Sequence, residues 1–239
     1  MNETIDSRTT LLIGEEAVKT LKDKTVAVFG LGGVGGTAFE SLVRAGVGHI
    51  FAIDRDVVAE SNLNRQILFT ADQIGAQKAL CAFVRAKLIR QDVEVVPMNF
   101  SVSEETLKDK DFGKCEFIID CVDDIKAKVA LMKYSIEKGI PDIICLGMGN
   151  RLDPSKLKIV KLNQTTGDPL ARALRNAAKK ENLPLDKFTC VISTEEPLVK
   201  TVHPSSMMMV PSASGLLISF YVIKRLTNLE TNCTKEFYK

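Results

Sequence analysis

Two cations and a carboxylate fall where they could do chemistry together. Arg65 lies in the polar run SNLNRQ (residues 61–66), Lys78 in the first turn of an amphipathic pattern over residues 75–89, and Asp123 in DCVDD (residues 120–124), just past a short apolar run. Nucleotidyl transfer needs positive charge around an α-phosphate, a divalent ion and a carboxylate to receive the nucleotide. Arg65 and Lys78 supply the charge, and Asp123 is the better of two adjacent aspartates for holding Mg²⁺ against phosphates. Its neighbour Asp124 reads as a helix cap. A lysine at a helix start opposes the dipole unless an anion lies nearby, which is itself a hint of phosphate. The competing chemistry, hydride transfer, needs a nicotinamide site and an acid–base residue beside the carbinol. The only histidines are His49 and His203, and His49 opens a buried-strand pattern and reads as structural. Adenylation is the better match.

The elements that position these groups can be read around residues 25–54. A short apolar run, Val26 to Phe29, reads as a buried strand; Gly30, Gly32 and Gly35 follow with G-x-G-x-x-G spacing; and a helical pattern (Val34, Ala38, Leu42, Ala45) comes next. Such glycines make a tight turn, admit a phosphate to the backbone and let helix and strand pack closely, while the helix N-terminus faces the anion. Asp54 ends the next apolar run, 24 residues after Gly30, where a carboxylate can take ribose hydroxyls. Residues 55–74 form a long connection of little periodicity that holds Asn62, Asn64, Arg65 and Gln66. Connections of that length usually carry function. Further strands are expected at 93–98, 117–120 and 143–146, with Ser103 capping a helix between the first two. This alternation predicts an α/β fold with a doubly wound, mainly parallel, Rossmann-like sheet, whose strand carboxyl ends bring the glycine loop and Asp123 to one rim.

Past Asn150 the pattern changes. KLKIVKL (residues 156–162) alternates like a half-exposed strand, Asp168-Pro169 caps a basic helix reaching Lys180, residues 188–192 read as a strand, and an apolar helix follows Pro211. We therefore expect an ATP-binding core over 1–150 and a C-terminal extension of the same domain over 151–239, adding antiparallel strands, a basic insertion and an apolar helix. Net charge is only +2, so no global field draws nucleic acid. Residues 150–190 nevertheless carry nine Lys or Arg, including Arg151, Arg172 and Arg175, against four acids, a surplus able to grip a polyanion or to form a solvated helix face. The apolar residues 207–223 are interrupted by Pro211, Ser212 and Ser214 and fall short of the ~20 residues a membrane span needs. At the other end, residues 11–21 have helical spacing, and Arg8 stands alone before them. None of the six cysteines makes a C-x-x-C pair, so reduced thiols and a cytoplasmic location are expected. Cys190 and Cys233 lie outside the first five strands and helices, and neither has a visible activating neighbour.

GLGGVG, the strand end AID at Asp54, SNLNRQ, Lys78 and DCVDD together resemble the adenylation fold of the ubiquitin-activating-enzyme superfamily. That resemblance implies that Gly32, Gly33 and Asp54 hold the adenosine end of ATP, that Asn62, Arg65, Gln66 and Lys78 bind the triphosphate, and that Asp123 holds Mg²⁺. Arg8 resembles the superfamily's N-terminal arginine, donated in trans across a homodimer. Within the superfamily, GMGNRLDPSKLKI (147–159), TGDPLARALR (166–175), STEEP (193–197) and VPSASGL (210–216) resemble the tRNA threonylcarbamoyladenosine dehydratase branch. TGD replaces that branch's SGD, and Cys190-Val-Ile-Ser193 replaces a more usual Val-Val-Tyr-Ser, so no tyrosine takes a role there. The branch implies ATP-dependent ring closure of a modified adenosine beside the tRNA anticodon, with Arg65, Lys78, Arg8 and Asp123 carrying catalysis. Arg151, Arg172 and Arg175 are the candidate grips on RNA phosphate or the threonyl carboxylate, and a cysteine desulfurase or sulfur acceptor is a candidate partner. Two other readings use the same half: an adenylating activator of a ubiquitin-like sulfur carrier, and a non-catalytic nucleotide-binding scaffold of a sulfur relay.

Overall fold

The computed structural model describes residues 3–110, 112–199 and 205–229. In chain order the elements are α1 (Ser7–Ile13), α2 (Glu15–Lys22), β1 (Thr25–Phe29), α3 (Gly33–Ala45), β2 (His49–Ile53), α4 (Lys78–Ile89), β3 (Glu94–Met98) and α5 (Glu104–Lys108). Then come β4 (Phe117–Asp120), α6 (Ile125–Lys138), β5 (Asp142–Cys145), β6 (Leu157–Lys161), α7 (Pro169–Lys180), β7 (Thr189–Ser193) and α8 (Met209–Thr227). The strands form one seven-stranded sheet in the order β3-β2-β1-β4-β5-β7-β6. The chain reverses its direction of winding between β1 and β4, and the crevice that such a reversal opens at the strand carboxyl ends is where ligands bind in these sheets.

Alternate residues of β1 show how the two faces are filled. Val26 and Val28 pack with Leu42, Ile218 and Val222 from α3 and α8, while Ala27 and Phe29 pack with Leu107, Ala130 and Leu131 from α5 and α6. A strand buried on both faces must be apolar at every position, and so this run carries no polar–apolar alternation. The antiparallel addition is smaller than expected: β7 pairs parallel with β5, and only the edge strand β6 runs against its neighbour. Two local expectations hold closely, since Ser103 caps α5 through the Thr106 N–H (3.1 Å) and Asp168 caps α7 through that of Ala171 (3.0 Å). One does not. Residues 11–21 form two helices rather than one, because Gly14 adopts φ 86°, ψ 158°, a conformation closed to other residues. The break leaves Leu11 and Leu12 80% and 84% exposed.

The apolar segment after Pro211 is a core helix. Val210, Ser214, Ile218 and Val222 share one buried stripe of α8 against α3, and Gly215 sits so close that a methyl group there would come within 2.8 Å of Thr37 Cβ. No helix among the described residues is long and apolar enough to cross a membrane.

Candidate active site

The glycine loop is built by steric exclusion. Gly30 has φ 85°, donates its N–H to the Ile53 carbonyl at 2.8 Å, and would carry any Cβ within 2.7 Å of the Cys121 carbonyl oxygen. A Cβ on Gly35 would overlap the Gly30 carbonyl oxygen. Gly32 differs, because a Cβ there meets only Gln66 Nε2, at 3.8 Å, across the open side of the loop. The first two glycines let the turn fold, and the third leaves room beside it. Asp54 joins loop to strand: its carboxylate accepts the N–H groups of Leu31 (2.6 Å) and Asp56 (2.8 Å). Each oxygen keeps a further lone pair for a hydroxyl.

A cleft of about 350 Å³ opens above this loop, at the switch point. Gly30, Gly32, Gly33, Gly35, Asp54, Asn62, Arg65, Gln66, Lys78 and Asp123 all line it. These come from five separate parts of the chain. Arg65 is partly buried, and its Nη1 donates to the Ser61 carbonyl (2.8 Å) and to Asn64 Oδ1 (2.9 Å), which fixes the plane of the guanidinium within its own loop. Asn64 in turn donates to the Ser206 carbonyl at 2.8 Å, and Asn62 accepts the Ala59 N–H at 3.1 Å. Lys78, at the first position of α4, is 5% exposed, with its ammonium 3.4 Å from Asp56 Oδ2. A lysine so enclosed, beside one largely hydrated carboxylate, can still pair with an anion in the cleft. Gln66 Oε1 is buried without a partner, a lone polar atom in a site open to a ligand.

Asp123 is exposed on the opposite lip, whereas Asp124 caps α6 by accepting the Ala127 N–H at 2.8 Å. No group of three or more His, Cys, Asp or Glu side chains that could hold a metal occurs among the described residues. A divalent ion at Asp123 therefore needs phosphate oxygens and water to complete its shell, which is the usual mode of Mg²⁺ beside nucleotides.

Sequence reasoning missed several residues here. Arg55 and Asp56 continue the rim beyond Asp54, and Phe100 and Val102, beyond the end of β3, form an apolar wall. The signal available was position alone, since each follows a strand's carboxyl end. Behind the lip lies a fully buried ion pair, Lys128 with Asp120, 3.0 Å apart. Burial is the strongest single influence and pulls the Lys128 ammonium down, but the charge and hydrogen bond of Asp120, together with Cys145 and Cys121, hold the lysine above its ordinary range.

Four candidate residues lie away from the cleft of their own chain. Arg8 is on α1, exposed, 3.4 Å from Glu3. Arg151 is 7% exposed; it donates to the carbonyls of Glu195 (3.0 Å) and Gly147, with Nη2 3.9 Å from Asp168. Its guanidinium braces the 147–153 turn from inside, and burial removes it from the surface where a grip on RNA was expected. Arg175 donates to Thr165, while Arg172 is exposed, and both border a hollow of about 500 Å³ at the start of α7. Cys190 is wholly buried, and burial, followed by the nearby charge of Asp142, pushes its thiol well up, which disfavours the thiolate. His49 lies at the far end of β2, paired with Glu94 at 3.0 Å. Cys233 and His203 fall outside the described residues.

Among known protein families, the description that matches is "ThiF family", over residues 7–239. The chain belongs to the ThiF family. Within it, a Bacillus subtilis protein named tRNA threonylcarbamoyladenosine dehydratase is 34% identical, over 92% of this chain and 93% of its own. The crystal structure of E. coli tRNA N6-threonylcarbamoyladenosine dehydratase in complex with ATP superposes with a TM-score of 0.87 at 30% identity, covering 92% of this chain and 93% of that one. A Bacillus subtilis sulfur carrier protein ThiS adenylyltransferase is 33% identical, but over 56% of this chain and 41% of its own. Likeness to the dehydratases thus runs through the β6–α8 half, and likeness to this sulfur-carrier activator covers little more than half of the chain.

Proposed function

We propose that this ThiF-family chain is an ATP-dependent tRNA threonylcarbamoyladenosine dehydratase. The observation that carries the reading is the convergence of ten predicted nucleotide-binding residues on one cleft, in a chain whose likeness to the dehydratases is nearly full-length. ATP lies with its ribose at Asp54 and its phosphates between the glycine loop and the Arg65–Lys78 wall. Mg²⁺ at Asp123, when bound, screens the charge of the triphosphate. The threonyl carboxylate of the modified adenosine attacks the α-phosphorus and pyrophosphate leaves. Arg65 and Lys78 stabilise the negative charge that builds on the phosphorus oxygens. The resulting acyl adenylate is then attacked by the neighbouring carbamoyl group; the ring closes and AMP departs with the former carboxylate oxygen. The attacking group is tethered to the reacting carbon, so ring closure needs no enzyme nucleophile, in keeping with a buried Cys190.

In this proposal the RNA rests on the basic α7 side, where Arg172 and Arg175 replace Arg151 as the surface grip. Arg8 reaches the cleft of a second copy. Support for a second copy comes from an exposed apolar stripe on α4 (Leu80, Val84, Leu88) with Leu216 and Phe220 on α8. A cytoplasmic location and a sulfur-relay partner belong to the same proposal. Arg65→Ala should abolish AMP release with threonylcarbamoylated tRNA and ATP; full turnover by that variant would remove Arg65 from the site. If AMP release instead required a ubiquitin-like carrier protein and ignored tRNA, the sulfur-carrier reading would replace this one.

A further inference from the structure

Lys128 has no exposed surface, and its partner Asp120 has 1%. From the first turns of α6, Lys128 Nζ donates to Asp120 Oδ1 at 3.0 Å and to the Cys145 carbonyl at 2.8 Å, joining the carboxyl ends of β4 and β5. Asp120 Oδ1 also accepts the Val122 N–H at 3.1 Å, and Oδ2 has no partner. A buried charge pair of this kind adds little stability over an apolar pair of the same volume, because desolvation cancels most of the attraction. Its value lies in what it orients. The same carboxylate oxygen that takes the lysine fixes Val122, and the next residue is Asp123 on the lip of the cleft. One residue back, the Cys121 N–H donates to the Phe29 carbonyl at 2.8 Å, and the Cys121 carbonyl sits where a Cβ on Gly30 would have to go. The 120–124 turn is thus held from behind by Lys128 and presses from the front on the glycine loop.

We propose that Lys128 is a positioning residue for nucleotide and metal: through Asp120 it sets the 120–124 turn so that Asp123 faces the phosphates. This rests on reading the cleft as the site of ATP with Mg²⁺. An ammonium suits the task because it donates in several directions from one point, so a single side chain can tie a carboxylate to the carbonyl of the adjacent strand.

The test compares the full chain with Lys128→Met, with the charge-neutral pair Lys128→Met/Asp120→Asn, and with Asp123→Asn. Lys128→Met alone strands a buried carboxylate and is expected to unfold at lower temperature. The paired variant removes both charges and should melt near the parent protein. Titration calorimetry with ATP in Mg²⁺ and with ATP in EDTA separates positioning from folding. In the paired variant the Kd in Mg²⁺ should rise about tenfold, or about 1.4 kcal/mol, while the Kd in EDTA moves by less than about twofold. Asp123→Asn should do the same, and adding it to the paired variant should cost less than about a further twofold, because the two act through one group. An unchanged Kd in Mg²⁺, equal losses in Mg²⁺ and EDTA, or additive losses would each overturn the proposal. A parent protein that binds no ATP in either buffer would instead overturn the nucleotide reading beneath it.

Discussion

Two glycines, three and six residues past the end of β1, should respond differently to the same methyl group. In Gly35→Ala the new Cβ overlaps the Gly30 carbonyl oxygen and lies 3.0 Å from Cys121 Cβ. Neither neighbour yields easily: Gly30 is held by its 2.8 Å bond to Ile53 in a left-handed conformation, and Cys121 by the 2.8 Å bond from its N–H to the Phe29 carbonyl. The loop must lift by about 1 Å, and overpacking against backbone of this kind costs ~2 kcal/mol. For a chain of this size the melting temperature should fall by roughly 4–8 °C. The same displacement moves the N–H groups facing the phosphates, and a shift of about 1 Å can lower turnover ~100-fold. In Gly32→Ala the methyl meets only Gln66 Nε2 at 3.8 Å, from an ordinary φ of −70°. Melting should then stay within about 1 °C. The methyl faces the space left for the pyrophosphate, so the Kd for ATP should rise about tenfold. Calorimetric melting and ATP titration of both variants decide the matter. Parent-like melting and binding in Gly35→Ala would refute the packing argument, as would equal melting losses in the two variants.

Asp142 supplies a pH signature: burial, and then the charge of Asp120, lift its carboxyl to about 7. Between the ordinary carboxylate range and pH 7 the folded state keeps a proton that the unfolded chain has lost, so stability falls as pH rises through that window. Asp142→Asn should therefore stabilise the protein at pH 8 by about 2 kcal/mol and have little effect at pH 4, as read from urea unfolding at both pH values. Arg172→Glu should weaken tRNA binding and reduce the slope of log K against log salt by about 1, leaving the Kd for ATP unchanged. Arg8→Ala and Arg65→Ala, each inactive alone, should regain about a quarter of parent activity when mixed and re-equilibrated, because one mixed cleft receives Arg8 from the other copy. No recovery in the mixture would place Arg8 outside the partner's site.

What sequence alone determined here was local or strictly periodic. Glycine spacing announced the turn after β1, because only residues without a Cβ fit where Gly30, Gly35 and Cys121 meet. Ser103, Asp124 and Asp168 announced helix starts, because each caps an N–H three residues away. The apolar runs announced parallel strands, and the strand carboxyl ends announced the rim. Tertiary structure decided whatever depends on partners distant in the chain. Arg151 and Arg172 look alike in a basic stretch, yet contacts to Gly147, Glu195 and Asp168 bury the first and leave the second in water. Lys128 sits in a polar-looking KAK, and only the adjacency of β4 and β5 brings Asp120 and the Cys145 carbonyl to it. The physical reason is common to both: a charge has no sequence signature of burial, because the partners that repay its desolvation are assembled only when the sheet is.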